Sequence, residues 1–270
     1  MISRRVFLAA ATAAGAGVVA ACTSTRKRSR AAVTPPLPVT TAPVPSSSPP
    51  APTVTAAPTT EVPTTAVHQG PATYVASGPS ASTGVALTFH TAGDASIVES
   101  ILDQAGGLGA KATFFVVGTW ATANPAVVSR ILAEGHELGN HTWSHIDLQA
   151  LPPDQMFEEI EKCAAVLQRE TGSISRWFRP SQTDVPDAAI LEQAGRVGYA
   201  TSVGYDIDPL DYTDPGAALV ERRVRAQLHG GAIVSLHTLY TGTATAFSPI
   251  VASIRAQGLE PVTTSAVLGR

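Results

Sequence analysis

Short apolar runs alternate with amphipathic stretches from residue 84 to residue 270. Residues 85–89 and 112–117 are apolar runs of strand length, and the stretch 95–105 between them has the spacing of an amphipathic helix. Strands that alternate with helices in short units favour a parallel sheet with crossover helices. About seven such units predict an α/β fold, a deformed (β/α) barrel, and leave a long open sheet as the alternative.

The longest helix of this pattern is predicted over residues 153–170. Met156, Ile160 and Cys163 recur there at helical spacing, which places them on one face. Cys163 is therefore expected to pack in the core and not to react. The other predicted helices are 125–133, 188–195, 216–228 and 249–257, and the other predicted strands are 137–138, 176–178, 199–203, 232–236 and 260–263.

The first 21 residues have the features of an export signal. Arg4 and Arg5 precede a short apolar run that ends in small residues before Cys22. The paired arginines are similar to a twin-arginine signal, and residues 19–22 resemble a lipobox, whose cysteine is acylated after cleavage. We expect residues 1–21 to be removed and Cys22 to anchor the protein to the outer face of the cell membrane. An apolar helix with an incidental cysteine is the alternative.

Residues 22–83 are predicted to form a disordered tether. Twelve of the 21 prolines lie between Pro35 and Pro79, among threonine, serine and alanine. Such a composition buries too little apolar surface to offset the entropy of ordering, and proline keeps the chain extended. The tether would hold the domain 84–270 away from the membrane. The basic run 26–30 either contacts anionic headgroups or is simply solvated.

Charge is divided unevenly along the chain. Six basic residues precede position 31 and no acidic residue precedes Glu61, so the remainder has 12 basic and 21 acidic residues, a net charge of −9. This balance argues against nucleic acid as a partner and favours a neutral or cationic substrate. We expect a monomer whose membrane contact is through the lipid anchor alone.

Polar side chains collect where the predicted strands end, and four of the seven histidines are among them. The carboxyl ends of parallel strands are where sites form in α/β folds. His141 and His145 are four residues apart, so on a helical turn both rings could share a cation. Taken singly, each residue has an ordinary explanation: this spacing is common by chance, a histidine that ends a strand is usually structural, an arginine can form an ion pair and aspartates favour turns. The remaining candidates are His90, Arg179, Asp208 and His237.

Together these residues resemble the polysaccharide deacetylase family, the NodB-homology domain of carbohydrate esterase family 4, over about residues 84–270. The family motif H-[ST]-x-x-H is complete at residues 141–145. The family motifs R-x-P-[FY], D-x-x-D-W and L-x-H correspond to Arg179-Pro180-Ser181, Asp208-Pro209-Leu210-Asp211-Tyr212 and Ser235-Leu236-His237.

The first family motif, T-F-D-D-G, is altered in this chain. Family members place a catalytic-base aspartate and then a metal-binding aspartate after Thr-Phe. Here Thr88-Phe89 is followed by His90 and Thr91, and the next carboxylate is Asp94. The family's carboxylate ligand is therefore missing in register.

The resemblance implies removal of N-acetyl groups from a polysaccharide by a metal-activated water, with zinc the expected metal for histidine ligands. It implies His141, His145 and Asp94 as ligands, with His90 as the base. An arrangement with His90 as third ligand and Asp94 as base stays open. The other implied residues are His237 as general acid held by Asp208, Arg179 as an orienting group, and Tyr212, Trp143 and Pro180 as substrate-binding residues.

Two other interpretations remain. A lipid-anchored protein that binds glycans through a degenerate site is favoured by the lost aspartate pair, and hydrolysis of a different C–N bond would use the same residues. Peptidoglycan is the expected glycan, because the predicted tether leads toward the cell wall.

Overall fold

The computed structural model describes His68 and residues 70–270. The predicted signal peptide 1–21, Cys22 and most of the predicted tether lie outside the described residues. Within the described part, no helix is long and apolar enough to cross a membrane.

Strands and helices alternate along the described chain. The strands are β1 Thr73–Val75, β2 Gly84–Thr91, β3 Thr113–Val116, β4 Glu137–Asn140, β5 Trp177–Phe178, β6 Thr201–Val203, β7 Ile233–His237 and β8 Glu260–Val262. The helices are α1 Ala95–Leu108, α2 Gly118–Ala123, α3 Pro125–Ala133, α4 Pro153–Thr171, α5 Ala188–Val197, α6 Ala217–Arg225, α7 Thr241–Ala256 and α8 Thr264–Leu268. Short 3₁₀ helices cover Leu148–Ala150 and Asp211–Thr213.

The strands form one parallel sheet in the order β1-β6-β5-β4-β3-β2-β7, with β8 paired to β2. A bridge between Ile207 and Val234 continues the pairing beyond β7. The result is a half-barrel of parallel strands with helices packed against it, which confirms the predicted deformed (β/α) barrel.

Strand β2 pairs with more strands than any other strand of this sheet in the described part of the chain. All eight of its residues are buried, and it pairs with β3, β7 and β8. A strand that is covered on both faces has a nearly continuous apolar sequence, and this is why β2 could be recognised from the sequence. The main apolar core joins β2 and β3 to α1, α3 and α7. Cys163 is fully buried in this core, and burial raises the pKa of its thiol to about 12, as expected of a packing residue.

The predicted domain boundary at residue 84 was wrong. Strand β1 pairs Thr73 with Thr201, and the backbone N–H of Gly78 donates to Gly231 O, so the end of the predicted tether belongs to the domain. A three-residue strand among prolines and glycines carries too little pattern to be recognised. The predicted start of the last long helix at Pro249 was also wrong, because α7 begins at Thr241 and contains Pro249.

Candidate active site

The carboxyl ends of β2, β4, β5 and β7 bring His90, His141, Arg179 and His237 together. His90 and His237 are opposite each other in the β2–β7 register, and their rings stack with centroids 4.4 Å apart. The ring of His141 contacts that of His90 edge-on at 4.6 Å. The predicted clustering of polar side chains at the strand ends is therefore confirmed for these residues.

His141 and His145 lie on a loop after β4, not on a helical turn. Thr142 and His145 have positive φ angles of 66° and 60°, and the two histidine rings are 5.1 Å apart. Glu159 of α4 fixes this loop by accepting hydrogen bonds from the backbone N–H and the hydroxyl of Ser144, at 2.8 and 2.9 Å.

Arg179 lies at the centre of the cluster and is 1% exposed. Its Nε and Nη2 donate to the carbonyls of Val203 and Gly204, and Nη1 donates to the hydroxyl of Thr88, each at 2.8 Å. Within the described residues no carboxylate forms a salt bridge with it. Burial lowers the pKa of its guanidinium to about 9. The protein therefore holds a buried cation that is solvated by neutral oxygens.

The contacts of Arg179 fix the proton positions on two histidines. Nη1 can only donate, so Nε2 of His90, at 3.2 Å, accepts, and Nδ1 of His90 carries the proton. That Nδ1–H donates to Nε2 of His141 at 3.0 Å, and Nδ1–H of His141 donates to the backbone carbonyl of Arg179 at 2.9 Å. Burial, together with neighbouring positive groups, lowers the pKa of both rings well below the usual value. Both imidazoles are neutral.

This arrangement argues against His90 as the base. Its Nδ1 is occupied by His141, and its Nε2 also accepts from the hydroxyl of Ser235 at 3.1 Å in addition to Arg179. No ring nitrogen of His90 is left to take a proton from water.

His237 is paired with Asp211, and the predicted pairing with Asp208 was wrong. Nδ1 of His237 donates to Oδ1 of Asp211 at 2.8 Å, and its backbone N–H donates to Oδ2 at 2.7 Å. The carboxylate of Asp208 instead accepts from the backbone N–H of Leu210, and burial raises its pKa. Both aspartates belong to the same motif, but of the two only Asp211, which opens a 3₁₀ turn, is hydrogen-bonded to His237. Because Nδ1 is bound to Asp211, Nε2 is the nitrogen that His237 presents to a substrate.

Comparisons with known proteins show the family of this chain. A family model described as polysaccharide deacetylase matches residues 77–202. The peptidoglycan-N-acetylglucosamine deacetylase of Bacillus cereus is 31% identical over 199 residues, which cover 70% of each chain. This chain belongs to the polysaccharide deacetylase family.

Two further members of the family are similar to this chain, one in sequence over part of its length and one in fold. Peptidoglycan-N-acetylglucosamine deacetylase PgdA of Listeria monocytogenes is 30% identical over 185 residues, which are 68% of this chain and only 39% of that protein. The chain thus corresponds to less than half of that relative's length. A family 4 pseudoenzyme of Bacillus anthracis has the same fold, with a TM-score of 0.68 and 24% identity, over 74% of this chain and 69% of its own.

Deacetylases of this family generally depend on a metal, and two of the three predicted ligands fit one. His141 and His145 are adjacent, burial lowers the pKa of both, and a histidine whose Nδ1–H is bound to a carbonyl is typical of metal ligation. Asp94 does not join them. It caps α1 by accepting from the backbone N–H of Ser96, which lowers its pKa. Among residues 70–270, no group of three or more histidine, cysteine or acidic side chains is arranged to hold a metal.

The three predicted substrate-binding residues differ in their exposure. Tyr212 is 46% exposed, with its ring 5.5 Å from that of His237. Trp143 is half-buried and packs so closely over Gly118 that a Cβ on this glycine would lie 2.6 Å from the indole. Pro180 is buried. Only Tyr212 offers substrate a largely free aromatic face.

Three residues that hold the site were given no role from the sequence: Thr88 and Ser235, which were named only as parts of motifs, and Thr243. Thr88 lies two residues before His90 and Ser235 two before His237, so alternation along a strand places each pair on one face. That signal was present in the sequence. The contact of Thr243 with Asp211 spans 32 residues and has no local signal.

Proposed function

We propose that this protein hydrolyses the N-acetyl amide of a glycan in the cell envelope. The observation that carries the proposal is the pair of His237 and Asp211 at the end of β7, beside the exposed ring of Tyr212. The pair is what amide hydrolysis needs at the leaving nitrogen, because an amine leaves only when it is protonated.

The proton movements follow from which nitrogens are free. Water adds to the amide carbonyl and the C–N bond breaks to give acetic acid and the sugar amine; the acid then loses its proton to the amine, which leaves acetate and the sugar ammonium. Since both nitrogens of His90 are occupied, Nε2 of His237 accepts the proton of the water and then delivers it to the leaving nitrogen. Asp211 holds the ring in the correct tautomer and stabilises the imidazolium between the two steps.

His141 and His145 would hold the metal, for which zinc suits two imidazole ligands. When bound, such an ion polarises the carbonyl and lowers the pKa of its water. The backbone carbonyl of Arg179 orients His141 for this purpose through Nδ1. Burial keeps both rings neutral, which is the form that ligates.

Peptidoglycan is the proposed substrate, and the outer face of the cell membrane the proposed location. The peptidoglycan-N-acetylglucosamine deacetylases of Listeria monocytogenes and Bacillus cereus support this substrate, and the twin-arginine-like segment with Cys22 supports this location. The acidic charge of the domain suits a neutral glycan or one that already has free amines. We propose a monomer tethered through its lipid.

A second candidate function is glycan binding without hydrolysis. The specific observation in its favour is that His90 donates to Nε2 of His141, the nitrogen a metal would need, while no carboxylate among the described residues joins the two histidines of the proposed metal site. A cation must displace this hydrogen bond to bind.

The experiment that separates the two uses the full chain with zinc, N-acetylglucosamine oligomers and purified peptidoglycan. Acetate release and retention on the glycan are measured for the wild type, His141→Ala and His237→Ala, with His229→Ala, an exposed histidine paired with Asp206, as control. Hydrolysis predicts acetate release that both site variants lose and the control keeps. Retention without acetate release in every protein would contradict hydrolysis and favour the binding function.

A further inference from the structure

Asp211 is held by a side chain of α7 as well as by His237. Its Oδ2 accepts a hydrogen bond of 2.7 Å from the hydroxyl of Thr243, in addition to the one from the backbone N–H of His237. Asp211 and Thr243 are each 1% exposed, so water does not compete for this contact. A hydroxyl that donates to a carboxylate forms a charge-assisted bond, which is stronger than one between neutral groups.

The hydroxyl of Thr243 does not use the partner that is usual in a helix. A helical threonine commonly bonds the carbonyl three or four residues earlier. Thr245, on the same helix, does so: its hydroxyl donates to Thr241 O at 2.9 Å. Thr243 reaches instead to Asp211, on the loop after β6. The hydroxyl of Thr243 therefore bonds a side chain in a buried position, whereas that of Thr245 bonds its own helix in an exposed one.

We propose that Thr243 is a positioning residue for the pair of His237 and Asp211. The carboxylate can rotate about its bond to Cβ, and its hydrogen bond to Thr243 restricts this rotation together with the two hydrogen bonds from His237. Oδ1 then stays in line with Nδ1 of His237, at 2.8 Å. Because α7 begins at Thr241, four residues after His237, the strand that carries the imidazole and the helix that holds its carboxylate are one continuous unit.

Loss of the hydroxyl should reduce catalysis and leave substrate binding intact. Without it, Oδ2 keeps only the hydrogen bond from the backbone N–H of His237, the carboxylate is held less rigidly, and Nε2 of His237 is aimed less precisely at the leaving nitrogen. A small displacement of a catalytic group, or loss of an orienting partner, costs on the order of 10- to 100-fold in rate. Thr243 is buried away from substrate, so KM should change little. This kinetic effect rests on the proposed deacetylation, whereas the hydrogen bond itself does not.

The test compares Thr243→Val, which keeps the shape and removes the hydroxyl, with Thr243→Ser, which keeps the hydroxyl. Thr245→Val is the matched control on the same helix. Two quantities are measured in the full chain: kcat and KM for acetate release from N-acetylglucosamine oligomers, and the downfield proton resonance of Nδ1–H of His237, assigned by its loss in His237→Ala. Should valine prevent folding, Thr243→Ala takes its place.

We expect Thr243→Val to lower kcat about 10- to 100-fold with KM within about twofold, and to shift the Nδ1–H resonance, with Thr243→Ser restoring both. An unchanged kcat and resonance in folded Thr243→Val would overturn the proposal, as would equal losses in the valine and serine variants. If the wild type releases no acetate but the resonance shifts in Thr243→Val alone, the positioning contact stands and the proposed deacetylation fails.

Discussion

Nδ1 of His90 donates a hydrogen bond to Nε2 of His141 across 3.0 Å. The direction is set by Arg179, which donates to the other nitrogen of His90. The lone pair of His141 that a metal would need is therefore occupied by a proton of a neighbouring histidine. His90 and Thr91 stand where the family motif T-F-D-D-G has its two aspartates, so the hydrogen bond from His90 to His141 has replaced a carboxylate at this position.

Replacing His90 should tighten zinc binding. In His90→Ala the lone pair of His141 is free, and relief from one buried hydrogen bond of about 1 kcal/mol corresponds to a roughly fivefold lower dissociation constant. Calorimetric titration with zinc alone measures this, with His229→Ala as control. A weaker affinity in His90→Ala would show instead that His90 is itself a ligand.

A carboxylate at position 90 should stabilise the fold. Arg179 is buried without an acidic partner among the described residues, and the His90→Asp substitution would supply a carboxylate next to Nη1. Compared with His90→Asn, which has the same size and no charge, we expect His90→Asp to gain about 2 kcal/mol in the free energy of unfolding at pH 7. Urea unfolding of both variants provides the comparison. Equal stabilities would mean that Arg179 is already fully solvated by its carbonyl partners.

Much of the site could be predicted because the motif residues lie at the ends of recognisable strands. His90, His141 and His237 were placed correctly by the apolar runs that precede them. The partner of His237 was predicted wrongly. Asp208 and Asp211 are three residues apart, and only the conformation of the loop decides which of them bonds the ring. Asp94 was misplaced for a related reason: an aspartate just before a helix is also a favoured N-cap, and capping is what it does.

Glu159 should matter for the metal although it lies outside the histidine cluster. It fixes Ser144 on the loop between His141 and His145, where two residues have positive φ angles. In Glu159→Ala we expect zinc affinity to fall about tenfold, as when other groups that orient ligands are removed. Glu158→Ala is the control, because Glu158 only pairs with exposed Lys162. Equal affinities in the two variants would mean that the loop keeps its shape unaided.

Mild acid should destabilise the protein through His136. Its Nδ1 accepts from the backbone N–H of Ala112, and burial lowers its pKa from 6.5 to about 4. Between pH 6.5 and pH 4, His136 is protonated in the unfolded chain and neutral in the folded chain. The free energy of unfolding therefore has its full value above pH 6.5 and decreases toward pH 4, by at most about 3 kcal/mol. His136→Asn keeps an acceptor and does not titrate. Its stability should fall less than that of the wild type over this range, as measured by urea unfolding, and parallel curves would exclude His136 as the cause.

The central claim is that His237 and Asp211 together move the protons of N-deacetylation. Its most direct test is the rate of acetate release from N-acetylglucosamine oligomers by the zinc-loaded full chain, compared with Asp211→Asn and Asp208→Asn. We predict that Asp211→Asn lowers kcat about 10²- to 10⁴-fold. The asparagine no longer holds the His237 ring in the required tautomer, and it lacks the negative charge that stabilises the imidazolium. Asp208→Asn should stay within a few-fold of the wild type. Equal rates in the two variants, or no acetate from the wild type, would contradict the claim.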